Sequence, residues 1–179
     1  SDLALQIPYI FELVRAYNIP LLLEEGYEAD DVLGSVAKEA ERRGFAVTIV
    51  SGDKDMLQLV SPQVRVLDTM KDKVFQEKEV WEKFGVKPAQ VVDVLGLMGD
   101  SSDNIPGVPG IGQKTAAQLI NQFDNLENLL AHLNQVDRKK LRDSLHQHRE
   151  SALLSKRLAT IVTDLHLPMD LEQFGVGEP

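Results

Sequence analysis

The chain has 179 residues, 43% of them apolar and 26% charged, which suits one ordinary domain or a core with a small appendage and shows no disordered or collagen-like bias. A formal net charge of −9 argues against a uniformly basic nucleic-acid binder, but it leaves open carboxylates gathered at one point to hold cations that then face phosphate. Without cysteine there is no disulfide and no thiolate metal site, which fits a reducing cytoplasm. No run reaches the ~18 apolar residues of a membrane span, and the first fifteen residues carry Asp2, Glu12 and Arg15 in place of an export leader.

Leu3, Ile7, Ile10, Leu13 and Val14 fall at near-helical spacing, so a helix is expected over 3–16, stopped by Asn18-Ile19-Pro20. Leu21-Leu22-Leu23 suits a short buried strand, and a helix should follow from about Asp30 to Arg43, closed by Gly44. Ala46–Val50 is the strongest strand pattern, bounded by Gly44 and Gly52. A short helix near Asp55–Leu59 and strands at Val64–Leu67 and, at the sheet edge, Lys73–Gln76 continue the rhythm of a parallel α/β sheet. From Glu79 the pattern turns helical. Pro88 opens a helix carrying Val91, Val92, Leu95 and Met98, a glycine-rich stretch occupies Gly99–Gly112, and helices are expected near 113–122, 126–133, 137–147 and 150–160. The expected organisation is an α/β core over 1–98 followed by a helical lobe over 99–179.

Three groups of acids stand just beyond apolar elements: Glu28, Asp30 and Asp31; Asp53 and Asp55; Asp100 and Asp103. In an open α/β sheet, residues past the carboxyl ends of the strands converge on one crevice, so the first two groups should face each other. Asp100 and Asp103 share a face if their segment is helical. Gathered carboxylates repel and raise one another's pKa unless cations hold them, and an oxygen-only donor set suits Mg²⁺ or Mn²⁺. Two such ions ~3.5–4 Å apart stabilise both the attacking and the leaving oxygen of a phosphodiester. Each group also has a plainer role open to it: Asp30 or Asp31 as a helix cap, and the other two pairs as turn residues. Their ordered recurrence favours the metal centre.

Ile105-Pro-Gly-Val-Pro-Gly-Ile-Gly-Gln-Lys-Thr-Ala-Ala117 has the form of a helix-hairpin-helix. Gly107, Gly110 and Gly112 permit a tight turn. Gln113, Lys114 and Thr115 then open a helix whose free N–H groups and positive dipole end suit a phosphate, a grip on the backbone that reads no bases. The plainer alternative is an ordinary Pro/Gly connection. The spacing from glycine to Lys114 does not match a Walker-type loop.

Glu28-Ala-Asp-Asp31, Ser51-Gly-Asp-Lys-Asp55 and Met98-Gly-Asp-Ser-Ser-Asp-Asn-Ile-Pro-Gly-Val-Pro-Gly-Ile-Gly-Gln-Lys-Thr-Ala116 resemble, in order, the signature blocks of the 5′ nuclease domain fused to bacterial DNA polymerase I, a relative of flap endonucleases. The resemblance spans about residues 3–165. It implies a Rossmann-like, PIN-like core with a helical lobe and a 5′-3′ exonuclease or 5′-flap endonuclease that uses divalent metal to remove flaps and primers in replication and repair. It also implies K⁺ at the helix-hairpin-helix, a polymerase region in the full-length protein, and a cytoplasmic setting. Under it Glu28, Asp30 and Asp31 serve a first metal, and Asp53, Asp55, Asp100 and Asp103 a second; Glu28, Asp30, Asp53 and Asp55 are the expected catalytic acids. The family's opening strand ending in Asp-Gly, a further acid and a basic helical arch have no counterpart after Ser1, so an N-terminally truncated domain is expected. The alternative is a duplex-DNA-binding fragment without catalysis.

Overall fold

Val47–Val50 and Val64–Asp68, rich in β-branched residues, pair in parallel as β1 and β2 with Val47 opposite Val64 and Val50 opposite Leu67. In this computed structural model, which describes residues 2–167 and 170–175, the third strand β3 (Lys73–Phe75) reverses direction and pairs antiparallel to β2. The sheet is therefore mixed, in the order β1-β2-β3. The reversal is built by Asp68, whose Oδ1 accepts the N–H groups of Met70 and Lys71 at 3.1 Å each, and by Asp72 at φ 48. Ile49, Val64, Val66 and Phe75 turn into the core.

Leu21-Leu22-Leu23 does not form the expected strand: the segment is irregular and Leu23 is exposed. A strand exists only through the ladder of a neighbour, and none of the three paired strands β1-β2-β3 pairs with this run. The expected N-terminal helix is present as α1 (Asp2–Ala16), but its apolar residues Leu3, Leu5, Tyr9 and Leu13 stay exposed.

Helix α2 (Ala29–Arg42) starts at Glu28, whose backbone N–H donates to Asp31 Oδ2 at 3.3 Å, the reach-back half of a capping box. It buries Val32, Ser35 and Ala37. Beyond it a 3₁₀ turn, Asp55–Leu59, follows β1. Helices α3 (Glu77–Phe84), α4 (Val91–Met98), α5 (Gln113–Phe123), α6 (Leu126–Ala131), α7 (Lys139–Gln147) and α8 (Arg149–Ala159) build the rest. The expected helix over 126–133 is interrupted, with a separate 3₁₀ turn at Leu133–Gln135. The final residues of the expected lobe, 168–169 and 176–179, lie outside the described residues.

α4 is the hub against which the lobe packs: Val91, Val94, Leu95 and Leu97 are all fully enclosed. It meets α8 so closely that a Cβ on Gly96 would lie 2.8 Å from Lys156 Cβ. The Lys156 ammonium reaches across to Asp93 Oδ1 and Glu127 Oε2 at 2.7 Å each, and Asp93 Oδ1 also accepts the Leu126 N–H at 2.9 Å. One apolar cluster runs from Ala37 and Ile49 through α4 and α5 to Ile161, so sheet and lobe share a core. After α8 the chain returns along α2, where Ser35 Oγ donates to Val162 O at 3.3 Å and accepts the Leu165 N–H at 3.1 Å.

Candidate metal centre and nucleic-acid grip

The start of α2, the loop after β1 and the loop after α4 deliver Glu28, Asp30, Asp53, Asp55 and Asp103 to a single cavity of about 290 Å³, closed by Ile105 and Leu158. Asp100 sits behind it, and ligand atoms of Asp55, Asp100 and Asp103 lie within 4.8 Å of one another. All three acidic stretches thus meet in space. Asp100 and Asp103 come together without a helix: the loop is pinched by paired backbone bonds between Asp100 and Ile105, at 2.8 and 2.7 Å, and by the Ser102 N–H donating to Asp100 Oδ1 at 3.0 Å.

Asp31 is the exception. It does not line the cavity, and its two oxygens accept backbone N–H groups, Oδ2 from Glu28 and Oδ1 from Val162. Asp53 lines the cavity and also takes the turn role weighed for it, its Oδ1 accepting the Asp55 N–H at 2.8 Å.

The electrostatics are those of crowded acids. Burial and then the Asp53 carboxylate push Asp55 up to about 6, with Asp100 and Asp103 adding to the rise. Burial, then Asp53 and Glu28, raise Asp30. Asp103 is raised by desolvation and by Asp100. Asp100 itself is desolvated, but the Lys54 ammonium against its Oδ2 and the Ser102 N–H outweigh that and hold it below the usual carboxylate range. Lys54, 4.0 Å from Asp55 Oδ1, is the counter-ion that the sequence reading did not single out. Its place between two candidate ligands in Asp53-Lys54-Asp55 was the available signal.

Asp55 Oδ1 is buried, and among the described residues it accepts no hydrogen bond. A deep carboxylate oxygen without a donor, beside two further carboxylates and no sulfur or imidazole, fits a hard divalent cation.

The glycine turn joins α4 to α5. Gly110, at φ 83, and Gly112 are exposed, with open space where a Cβ would stand. Gln113 and Lys114 are exposed at the first turn of α5, and Thr115 is half-buried. The Gln113 side-chain amide donates to the Lys83 carbonyl at the end of α3. Gly107 faces inward: its N–H donates to Ser155 Oγ at 2.9 Å and its carbonyl accepts from Ser151 Oγ at 2.8 Å, so it anchors the turn to α8. Beside the turn a cavity of about 280 Å³ is lined by Pro109, Gly110, Thr115, Arg138, Lys140, Leu141 and Ser144. The run Arg138-Lys139-Lys140 was the overlooked sign of these added cations.

Two family models cover the chain: "5′-3′ exonuclease, N-terminal resolvase-like domain" matches residues 1–85, and "5′-3′ exonuclease, C-terminal SAM fold" matches 86–179. The chain is 49% identical over 175 residues to DNA polymerase I of Bacillus caldotenax, covering 96% of this chain and 20% of that protein. It is 40% identical over 179 residues to a 5′-3′ exonuclease of Aquifex aeolicus, of which it spans 61%. Among solved structures, T5 5′-exonuclease with bound zinc superposes with a TM-score of 0.77 at 24% identity, covering 90% of this chain and 62% of that one. The T5 D15 flap endonuclease in complex with DNA and metal ions gives 0.76 at 25% identity, over 86% and 55%. Among the described residues, no helix is long and apolar enough to cross a membrane.

Proposed function

Because the chain belongs to the 5′-3′ exonuclease family, both of whose domain models it matches, we propose that it carries the metal centre and the duplex grip of a divalent-metal-dependent nuclease. The nuclease hydrolyses DNA phosphodiesters at 5′ ends and 5′ flaps, in the cytoplasm, as part of replication and repair. The carrying observation is the convergence of Glu28, Asp30, Asp53, Asp55 and Asp103 on one cavity, with a donorless buried oxygen on Asp55.

When bound, Mg²⁺ or Mn²⁺ would supply Lewis-acid stabilisation of the charge on the phosphodiester oxygens. Asp53, Asp55, Asp100 and Asp103 would hold one ion, and Glu28 and Asp30 the other, with Asp31 fixing the helix start that presents them. Lys54 balances the acids through Asp100 and Asp55. Gly110, Gly112, Lys114 and Thr115 hold the duplex backbone with the amides of the first turn of α5, with K⁺ at the turn. The chemistry draws on both parts, Glu28, Asp30, Asp53 and Asp55 from 1–98 and Asp100 and Asp103 from the start of 99–179, while the glycine turn and the helices after it do the holding, within a longer protein that carries a polymerase region in the DNA polymerase I relatives.

A labelled 5′-flap substrate incubated with Mg²⁺ or Mn²⁺ tests the reading. Cleavage by the wild type that Asp53→Ala or Asp55→Ala abolishes supports it, and an intact substrate with both metals rejects it. Salt-sensitive binding without cleavage would instead establish a duplex-binding module that uses the turn alone.

A further inference from the structure

Lys73 on β3 and Lys83 near the end of α3 place their ammonium groups 4.9 and 5.2 Å from the centre of the same ring, Phe75, and Lys83 lies 5.6 Å from the centre of Phe84 as well. Both rings belong to the core, Phe75 at 5% exposure and Phe84 at 2%, so they hold two long cations in place by their faces. Nearby Lys71 is neutralised by Asp68 at 2.6 Å, and Lys54 by Asp100. Among the described residues neither Lys73 nor Lys83 makes such an ion pair. Glu79 acts on Lys73 and Asp68 on Lys83 only from beyond ion-pair distance, and in a chain with 28 acids to 19 bases two adjacent cations without a paired carboxylate need a reason.

Crowding has the expected electrostatic signature. Lys83 gives up its proton more readily than an ordinary lysine, first because it is desolvated and then because Lys71, Lys54 and Lys73 press on it. An anion would relieve that repulsion. The two ends of the strip are fixed: Lys54 lies 4.0 Å from Asp55 of the acid cavity, and the Lys83 carbonyl is bound by Gln113, the residue before Lys114 at the start of α5. A strand of nucleic acid carries one negative charge per ~3.4 Å of axis, so a polyanion gripped at the turn and reacting at the acids is matched by cations between them.

We propose that Lys73 and Lys83 form a phosphate track that holds the sugar–phosphate backbone of bound DNA between the acid cavity and the glycine turn, a role that rests on the DNA reading above.

The test is fluorescence anisotropy with a labelled duplex bearing a 5′ flap, in EDTA so that no strand is cut, over a range of NaCl. Lys73→Met and Lys83→Met keep the aliphatic stems on the rings and remove the charge. Lys78→Met, on an 80% exposed side chain paired with Glu82, removes a lysine off the strip. The double variant is expected to bind several-fold more weakly, with a log–log salt slope shallower by about 1 to 2. Lys83→Arg should restore the slope, and Lys78→Met should match wild type. Wild-type binding left unchanged by the double variant, or weakened equally by Lys78→Met, overturns the track and leaves the nuclease reading standing. No binding by the wild type overturns both. If Lys83→Met shifts the unfolding midpoint, the exposed Lys73→Met alone decides, expected to lose about 1 in slope.

Discussion

The backbone N–H of Val162 donates to Asp31 Oδ1 at 2.8 Å, across 131 residues of sequence. The other oxygen of Asp31 holds the first N–H of the helix start at Glu28. One carboxylate thus ties the returning C-terminal segment to the element that presents Glu28 and Asp30. Asp31→Ala is expected to lower stability by about 1–3 kcal/mol, the cost of leaving such partners unsatisfied. Asp30→Ala removes a crowded charge and should leave the metal-free protein as stable or more so, while weakening metal binding. Urea unfolding of the two variants separates the roles: equal midpoints would mean that Asp31 is not a strut.

Asp55 makes the stability of the metal-free protein depend on pH in a direction opposite to that of a salt-bridged acid. Its folded value is about 6 against an ordinary 3.8, so between these values the folded chain holds a proton that the unfolded chain has released. Stability is then lost as pH rises from about 4 to about 6. Asp30 and Asp103, also raised, act in the same sense, and Asp100, held down by Lys54, opposes them. In EDTA at pH 7.5, Asp55→Asn should melt a few degrees above wild type, at about 2–4 °C per kcal/mol recovered. With Mg²⁺ the order should reverse, because the wild type alone then gains the free energy of the ion. Melting curves at pH 5 and 7.5, with and without Mg²⁺, check both statements; a variant that melts below wild type in EDTA contradicts the first.

The convergence of the acids was legible in sequence because its signal is local: short acidic groups follow apolar elements, and strand ends point their loops one way. The helices and β1 to β3 were legible by periodicity. What sequence could not show is set by contacts between distant segments. Asp31 and Asp30 are neighbours of one type, and only the return of Val162 past α2 turns one of them into a strut. Leu21-Leu22-Leu23 has strand composition, but composition does not supply a partner ladder. Gly107 and Gly110 look alike in Gly-Val-Pro-Gly, yet Ser151 and Ser155 on α8 capture the first and leave the second exposed. Lys73 and Lys83 gain meaning only once β3 and α3 bring them over one ring.

The same two glycines give a contrast in which stability and binding separate. Gly107 has φ 62, and a Cβ there would lie 2.6 Å from the Met98 carbonyl carbon and 2.7 Å from Gly99 Cα. Those are backbone atoms with no rotamer to move aside. Gly107→Ala is therefore expected to cost on the order of 3 kcal/mol or more, combining left-handed strain with the parting of two chain segments. Gly110 has φ 83 but nothing within 4 Å of its Cβ position, so Gly110→Ala should cost only the ~1–2 kcal/mol of left-handed strain. Gly110 lines the cavity with Thr115, Arg138 and Lys140, so under the proposed grip its added methyl group would stand where the duplex backbone approaches. Gly110→Ala should then bind a 5′-flap duplex more weakly while remaining folded, whereas Gly107→Ala should lose binding only in proportion to the fraction unfolded. Urea unfolding and anisotropy on the same preparations test this, and a Gly110→Ala protein that binds like wild type would remove the turn from the interface.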